Sequence, residues 1–567
     1  MSTVKKSQRF PLGLVLFALV LVVYKASIIS VDAGAGWQAW SVLIGLDLFY
    51  FSFLLFLAIV SGALRTRILR LPVWFLLAFM TAIYLVDSFV LLALDNHADL
   101  FDIGRYGLED GVVLSFFDSV AYLAIATLVL SLFVFSDFSA RLKKLSVTLC
   151  IIALLLGIAA ERYSATAWTR YAMLSPANVL ESMGPRKDIS DYSIEQIAFY
   201  AEIGRQSAAI PASKPNIILV IVESLSSINS SKTSGVGNLL AGFDELAEEG
   251  ALFRNFFANH QASEGGVIAL LGGFPPIHFP TATPYMFDEF AIQPSVLGEY
   301  QQQGYFTGFL TNSDLSFIGL NHFLDGLGLD RSRGRDEFES MRTATRVVQD
   351  APSDDLLYAE ALSTQLELAE SQAPFLLVLA TTSTHLPYTH PEDGPDTAEA
   401  VWKWSLQQLT EFHRELKKTG YFDNGILLIT GDHRQMRRLS KEESDRYGAS
   451  ARARVPLLII GKDYPGNTTD DRFFQQSDLL RKLGTVSQAD ALLSPHPIWV
   501  ERYNRKFGRI ELIDKLSVFD QADDGRYEYQ LTISGNHIDW VAEKPDFAVE
   551  IELLIHKQRS QHQSLRQ

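Results

Sequence analysis

The sequence predicts a chain of two unlike parts: an α-helical membrane region of five transmembrane helices, then an α/β domain on a mainly parallel central sheet. Three observations predict this. Apolar residues crowd into the first 160 of 567 positions, an asymmetry that a soluble chain has no reason to carry. Basic clusters recur at alternate turns between the apolar runs. Beyond Pro215, short apolar strands alternate with helical stretches, the pattern of a sheet covered on both faces.

A bilayer-spanning helix needs roughly 20 apolar residues. Five stretches qualify: about Phe10–Val31, Trp40–Leu64, Leu71–Leu94, Val112–Phe135 and Leu145–Ala160. The first is longer than a signal-peptide core and has no small-residue cleavage site, so it reads as a retained helix. Lys5, Lys6 and Arg9 precede it. Arg65, Arg67 and Arg70 fill the second turn, and Arg141, Lys143 and Lys144 the fourth. The alternate loops are acidic on balance, with Asp32 in one and Asp95, Asp99, Asp102, Glu109 and Asp110 in the other. Positive charge stays inside, so the N-terminus is expected inside and everything beyond about Glu161 on the outer face of a bacterial cytoplasmic (inner) membrane. Lys25, Asp47, Asp87 and Asp118 fall within these runs, all toward the outer half of the bilayer. Lys25 is expected to pair with at least one of the acids, although separate snorkelling also explains them.

Residues 161–214 read as a connecting region with an amphipathic helix at Tyr192–Arg205. Residues 215–500 read as the catalytic domain, and 501–567 as its C-terminal edge strands and polar tail. The net charge of −16 excludes nucleic acid as a partner, because phosphate backbones need clustered Lys and Arg. The single cysteine, Cys150, lies in an apolar run, so the outer domain stands without disulfides.

Expected strands are Asn216–Val222, Phe306–Leu310, Phe375–Leu379, Ile426–Ile429 and Leu457–Ile460. In such sheets, sites form at the carboxyl ends of strands. Those ends read Glu223-Ser224, Thr311-Asn312, Thr381 to His385, and Thr430-Gly431-Asp432-His433. Carboxylates and imidazole on neighbouring strand ends suit one divalent ion, zinc or manganese. Helix capping explains any single strand-end acid as well, but the Thr-Gly-Asp-His tetrapeptide is more specific.

Pro215 to Ser224 (PNIILVIVES) resembles the opening strand of the lipoteichoic acid synthase-like branch of the sulfatase/alkaline phosphatase superfamily. Leu416–His433 (LKKTGYFDNGILLITGDH) resembles that superfamily's strongest motif, and Val455–Gly461 its following strand. Gln476–Leu480 matches weakly. The resemblance implies an alkaline phosphatase-like fold and one divalent metal held by Glu223, Asp432, His433 and a hydroxyl nucleophile. Counting back from Phe274-Pro275-Pro276, the nucleophile falls on Ser263, 40 residues after Glu223. At a helix N-terminus its hydroxyl would stand beside N–H groups able to cradle a phosphoryl group. The competing account of Ser263 is a plain N-cap with Glu264 in the first turn.

The resemblance also implies a substrate-contacting histidine at His385, with His390 the weaker candidate. Arg434 stands where a small or neutral residue is usual and offers a fork for phosphate. The phosphoglycerol-transferring members carry a Trp and an Arg after the next strand, and Thr311–Leu320 has neither.

The activity so implied is transfer of a phospho-alcohol group, phosphoglycerol first among them, from a membrane phospholipid donor to an envelope glycan or lipid acceptor through a phospho-serine. Phosphoethanolamine transfer is an alternative, though such enzymes usually carry disulfides. True sulfatases have a Cys/Ser-x-Pro/Ala-x-Arg motif, and Ser263–Val267 lacks its Pro and Arg. A degenerate lipid-binding regulator is the non-enzymatic alternative.

Overall fold

The computed structural model describes residues 207–502 apart from 277–285, 291–294, 372, 438, 492 and 495–497, then 514–519, 528–534, 537–540 and most of 548–556; of the N-terminal third it describes 72, 73 and 75. The five expected membrane helices, the Tyr192–Arg205 helix and the set Lys25, Asp47, Asp87 and Asp118 lie outside the described residues, save that 72, 73 and 75 are helical. Among the described residues no helix is long and apolar enough to cross a membrane. The chain divides into two compact units: Met1–Pro185 with Arg437–Asp445, and Arg186–Met436 with Arg446–Gln567. In the described part of the first, Lys441 pairs with Asp445 one helical turn on, at 2.5 Å.

The second unit is built on a nine-stranded sheet. Its strands are β1 (Asn216–Val222), β2 (Ala251–Phe257), β3 (Phe306–Thr311), β4 (Arg331–Arg333), β5 (Phe375–Ala380), β6 (Gly425–Gly431), β7 (Arg454–Gly461), β8 (Thr468–Asp470) and β9 (Phe474–Gln475). The order is β4-β3-β5-β1-β6-β7-β2-β8, with β9 also on β2. All five expected strands form. Every pairing is parallel except those of β7, which runs against both β6 and β2.

Apolar side chains on both faces explain the near-continuous runs, because each face is covered by helices. Ile217, Leu219 and Ile221 of β1 pack in one core with helices α2 (Ser263–Gly272), α3 (Val296–Gln302), α4 (Leu320–Leu327) and α7 (Gln476–Lys482). Ile218, Val220 and Val222 pack on the other face with α1 (Ala241–Leu246), α5 (Asp354–Glu370) and α6 (Ala398–Lys418). The period of two along β1 therefore feeds two cores rather than one core and solvent.

β2 escapes the sequence pattern because Arg254 and Asn255 interrupt its apolar run. Its pairing with β7 shifts register between Phe253 and Phe256 at that point. The C-terminal expectation needs correcting. Among the described residues, those beyond 500 do not extend the central sheet. β10 (Ile498–Arg502), β11 (Asp514–Phe519), β12 (Glu528–Ser534) and β13 (His537–Trp540) form a separate antiparallel meander. Alternation alone predicts a strand but names no partner. His556, expected to open a polar tail, is instead helical and buried.

One buried acid ties the strand ends to the helical layer. Asp354, fully buried at the first turn of α5, accepts from the N–H groups of Thr382 (2.9 Å) and Ser383 (3.0 Å) and from Asn312 Nδ2 (2.9 Å). Burial pushes its carboxyl above the ordinary value, and these donors pull it back. Replacing it, Asp354→Ala, strands several buried donors. The expected cost is on the order of 3 kcal/mol, read as a lowered urea midpoint of unfolding.

Candidate active site

The register of the sheet assembles the site. β6 lies beside β1 with Val222 opposite Gly431, so the residues that follow, Glu223 and Asp432, leave the sheet side by side. Both are buried. Ser224 joins them: its N–H donates to Asp432 Oδ1 (2.8 Å) and its hydroxyl to Glu223 Oε1 (2.7 Å). It does so from a left-handed backbone, φ 59°, rare for a serine. The β5 loop holds the Glu223 main chain. The Glu223 N–H donates to Thr381 Oγ1 (3.2 Å), and Thr384 Oγ1 donates to the Glu223 carbonyl (2.6 Å).

His433 completes the cluster from the β6 end. Its Nδ1 lies 2.8 Å from the Arg434 carbonyl. A carbonyl only accepts, so Nδ1 carries the proton and Nε2 faces the acids, 3.3 Å from Asp432 Oδ2 and 3.6 Å from Glu223 Oε1. One ligand atom from each of Glu223, Asp432 and His433 lies within 4.8 Å of the others.

Ser263 enters from α2. The cap of that helix is Ala262, which offers no side-chain cap bond. Ser263 holds the first helical position, and its hydroxyl points away from the helix. Its Oγ stands 3.2 Å from Glu223 Oε2 and 3.2 Å from His433 Nε2. Ser263 is therefore not the N-cap of this helix.

Two glycines let α2 come this close. A Cβ on Gly266 would lie 2.1 Å from the Asp432 carbonyl oxygen, and one on Gly265 2.1 Å from the His260 ring. Gln476 at the start of α7 braces the same junction, donating to the carbonyls of Gly431 (2.8 Å) and Asp432 (2.7 Å) and accepting from the Asn259 N–H (3.1 Å).

The electrostatics of the cluster are those of a candidate cation site. Burial, then the Glu223 charge, push Asp432 up to about 7. Burial opposes charge on His433, but the carboxylates of Asp432 and Glu223 outweigh it and hold the imidazole above its ordinary value. Two carboxylates and an imidazole lone pair at this spacing repel one another in their ligating forms. A divalent ion removes that repulsion, and its donors would be hard oxygens with one nitrogen.

The other predicted residues fall outside this cluster. Arg434 is buried and donates to the Gln435 carbonyl (2.6 Å). His385 is half-buried on the β5 loop, with Nδ1 against the Leu386 carbonyl and Nε2 2.8 Å from Gln349 Nε2. His390 belongs to its own turn with Glu392 and Asp396. Thr233 and Ser234, two further buried hydroxyls after β1, donate to the backbone carbonyls of Ser227 and Ile228.

Sequence reasoning missed Ser224, Thr384 and the Asn259–Gln476 brace. Their one signal was position, next to a strand-end acid or inside the Gln476–Leu480 stretch. A positive φ at a serine leaves no trace in sequence.

The mainly parallel sheet and its covering helices give an α/β domain with an alkaline phosphatase-like fold. Residues 215–487 match the Sulfatase family model and form a sulfatase-family domain. A phosphoglycerol transferase I of Xanthomonas campestris pv. campestris (strain B100) is 26% identical over 270 residues, which span 44% of this chain and 38% of that protein. Lipoteichoic acid synthase 1 of Bacillus subtilis (strain 168) is 24% identical over 186 residues, 29% of this chain and 28% of that protein. The chain thus spans well under half the length of these curated relatives. Among solved structures, a protein in the alkaline phosphatase superfamily from Vibrio parahaemolyticus superposes with a TM-score of 0.50 at 19% identity, over 66% of this chain and 98% of that one. That likeness speaks for the fold.

Gly266→Ala tests the close approach of α2. The added methyl must drive the helix and the Asp432 loop apart, and a displacement of that kind costs roughly a hundredfold in a positioned reaction. Any turnover at this centre is expected to fall by about that factor, while circular dichroism retains the wild-type spectrum.

Proposed function

We propose that this chain is a metal-dependent phosphotransferase that moves a phospho-alcohol group, phosphoglycerol foremost, from a membrane phospholipid to an envelope glycan or lipid. The observation that carries the reading is Ser263 at the start of α2, its hydroxyl 3.2 Å from both Glu223 and His433 instead of capping its helix. The phosphoglycerol transferase and lipoteichoic acid synthase relatives support phosphoglycerol as the group. The apolar first 160 residues with their alternating basic turns support anchorage in the bacterial inner membrane, with this domain outside.

Glu223, Asp432 and His433 would hold the divalent ion, manganese or zinc, with Ser263 as the fourth donor. When bound, the ion supplies positive charge that lowers the serine pKa and offsets charge developing on the phosphoryl oxygens. The chain's own residues do the rest. Ser263 Oγ attacks phosphorus as its proton passes to Glu223 Oε2. The Oγ–P bond forms and the bond to the diacylglycerol oxygen breaks, Glu223 passing the proton on to that oxygen, which leaves as the alcohol. An acceptor hydroxyl then attacks the same phosphorus, its proton passing by way of Glu223 Oε2 to Ser263 Oγ as the Oγ–P bond breaks. The N–H groups in the first turn of α2 would lie beside the phosphoryl oxygens. His385 and Arg434 would meet the substrate at the rim, His385 once released from Gln349.

Two measurements test this. Ser263→Ala should abolish release of diacylglycerol from phosphatidylglycerol, and intact mass of the wild-type protein should show a glycerophosphate increment on Ser263. Full turnover in the variant refutes the nucleophile. Removing metal with a chelator should abolish turnover and lower the thermal midpoint. Adding back manganese or zinc should restore both. Turnover that survives exhaustive chelation argues against a metal-dependent centre.

A further inference from the structure

Residues 347–351 form a tight reversal. The Ala351 N–H donates to the Val348 carbonyl (2.9 Å) and the Val347 N–H to the Ala351 carbonyl (2.8 Å). Its two central residues, Gln349 and Asp350, have φ of 48° and 55°. Positive φ at both central positions is the mark of a type I′ turn, which Asn, Asp and Gly enter readily and glutamine does not. The turn is nonetheless firmly held. Val348 and Ala351 are buried. Arg335 donates to the Asp350 carbonyl and to Asp350 Oδ2, both at 2.5 Å, while its other arm reaches Asp314 Oδ2 at 3.1 Å.

Gln349 has one evident employment at the tip of this turn. Its Nε2 stands 2.8 Å from Nε2 of His385, 36 residues away in sequence. The His385 Nδ1 contact with the Leu386 carbonyl places the ring proton on Nδ1. Nε2 is then an acceptor, and the glutamine amide is the matching donor. His385 itself follows Thr384, whose hydroxyl donates to the Glu223 carbonyl, so the histidine is carried on the segment that braces the candidate centre. Asparagine would relax the backbone of this turn but is one methylene shorter.

We propose that Gln349 is a positioning residue: its side-chain amide, presented by a strained turn that Arg335 clamps, holds the His385 imidazole in place and caps its Nε2 until substrate takes the position.

The proposal rests on the phosphotransfer reading, and its test uses the full chain in detergent micelles with Gln349→Asn, His385→Ala and the double variant. Diethyl pyrocarbonate acylates an unprotonated imidazole nitrogen that is open. Peptide mass spectrometry should therefore show His385 modified several-fold faster in Gln349→Asn than in wild type, while the thermal midpoint is equal or higher. Diacylglycerol release from phosphatidylglycerol should fall on the order of tenfold in Gln349→Asn, and the double variant should be no slower than His385→Ala. A merely structural turn predicts the reverse: asparagine, better suited to positive φ, would preserve both turnover and the acylation rate. An unchanged acylation rate overturns the proposal. So does a Gln349→Asn loss that adds in full to that of His385→Ala, because Gln349 would then act elsewhere. Absent turnover in the wild type would count against the phosphotransfer reading alone, since the acylation rates judge the Gln349 contact without it.

Discussion

Two buried carboxylates emerge from adjacent parallel strands, and the rest of the centre answers to that fact. The β1–β6 register sets Val222 against Gly431 and so delivers Glu223 and Asp432 as neighbours. Two like charges in a buried place are costly unless something offsets them. The protein supplies offsets from every side: the Ser224 N–H and hydroxyl, the His433 N–H (2.8 Å to Asp432 Oδ1), the His433 ring and the Ser263 hydroxyl. These dipoles ease the cost without removing it, for burial and then the Glu223 charge still push Asp432 up to about 7. The balance left over is negative, and a divalent cation matches it.

The same constraint explains why backbone, more than side chains, shapes the surroundings. Ser224 takes a left-handed conformation so that its N–H and hydroxyl reach one carboxylate each. Gly266 lets the α2 backbone lie against the Asp432 carbonyl. Gly431 sits where a Cβ would meet the Leu225 carbonyl at 2.5 Å. Each is a point where two chain segments approach to main-chain contact, and only such approach brings Ser263 Oγ within reach of both Glu223 and His433.

What was legible in sequence follows from this. The five apolar strands were readable because burial on both faces writes a run with no polar break. Glu223, Asp432 and His433 were readable as the polar residues that end two of those runs. Ser263 was readable only through the motif beside it, since a serine opening a helix is ordinarily a cap. β2 was not readable, because Arg254 and Asn255 break its pattern and its pairing partner lies about 200 residues away. The C-terminal meander was half-readable: the alternation over Tyr527–Ile533 reads as a strand and β12 forms at Glu528–Ser534, while nothing local said that its neighbours would be β11 and β13. Gln349 was not readable at all, for its meeting with His385 depends on a backbone conformation its own side chain disfavours.

The strand ends on the other side of β1 divide the labour differently. There β3 and β5 are followed by Asn312 and by Thr382 and Ser383, whose N–H groups (the Asn312 side-chain amide and the two main-chain amides) are spent inward on Asp354. The Asp354 charge is shared over donors from two chain segments, the β3 and β5 ends, which welds both to α5. A loop so fixed can carry Thr384 and His385 past the Glu223 carbonyl with little freedom to move. One sheet edge thus offers two unlike acidic nodes. Asp354 has its donors and serves rigidity, whereas the Glu223–Asp432 pair is short of positive charge. That difference in hydrogen-bond supply, more than any difference in residue type, separates the structural carboxylate from the pair poised for chemistry.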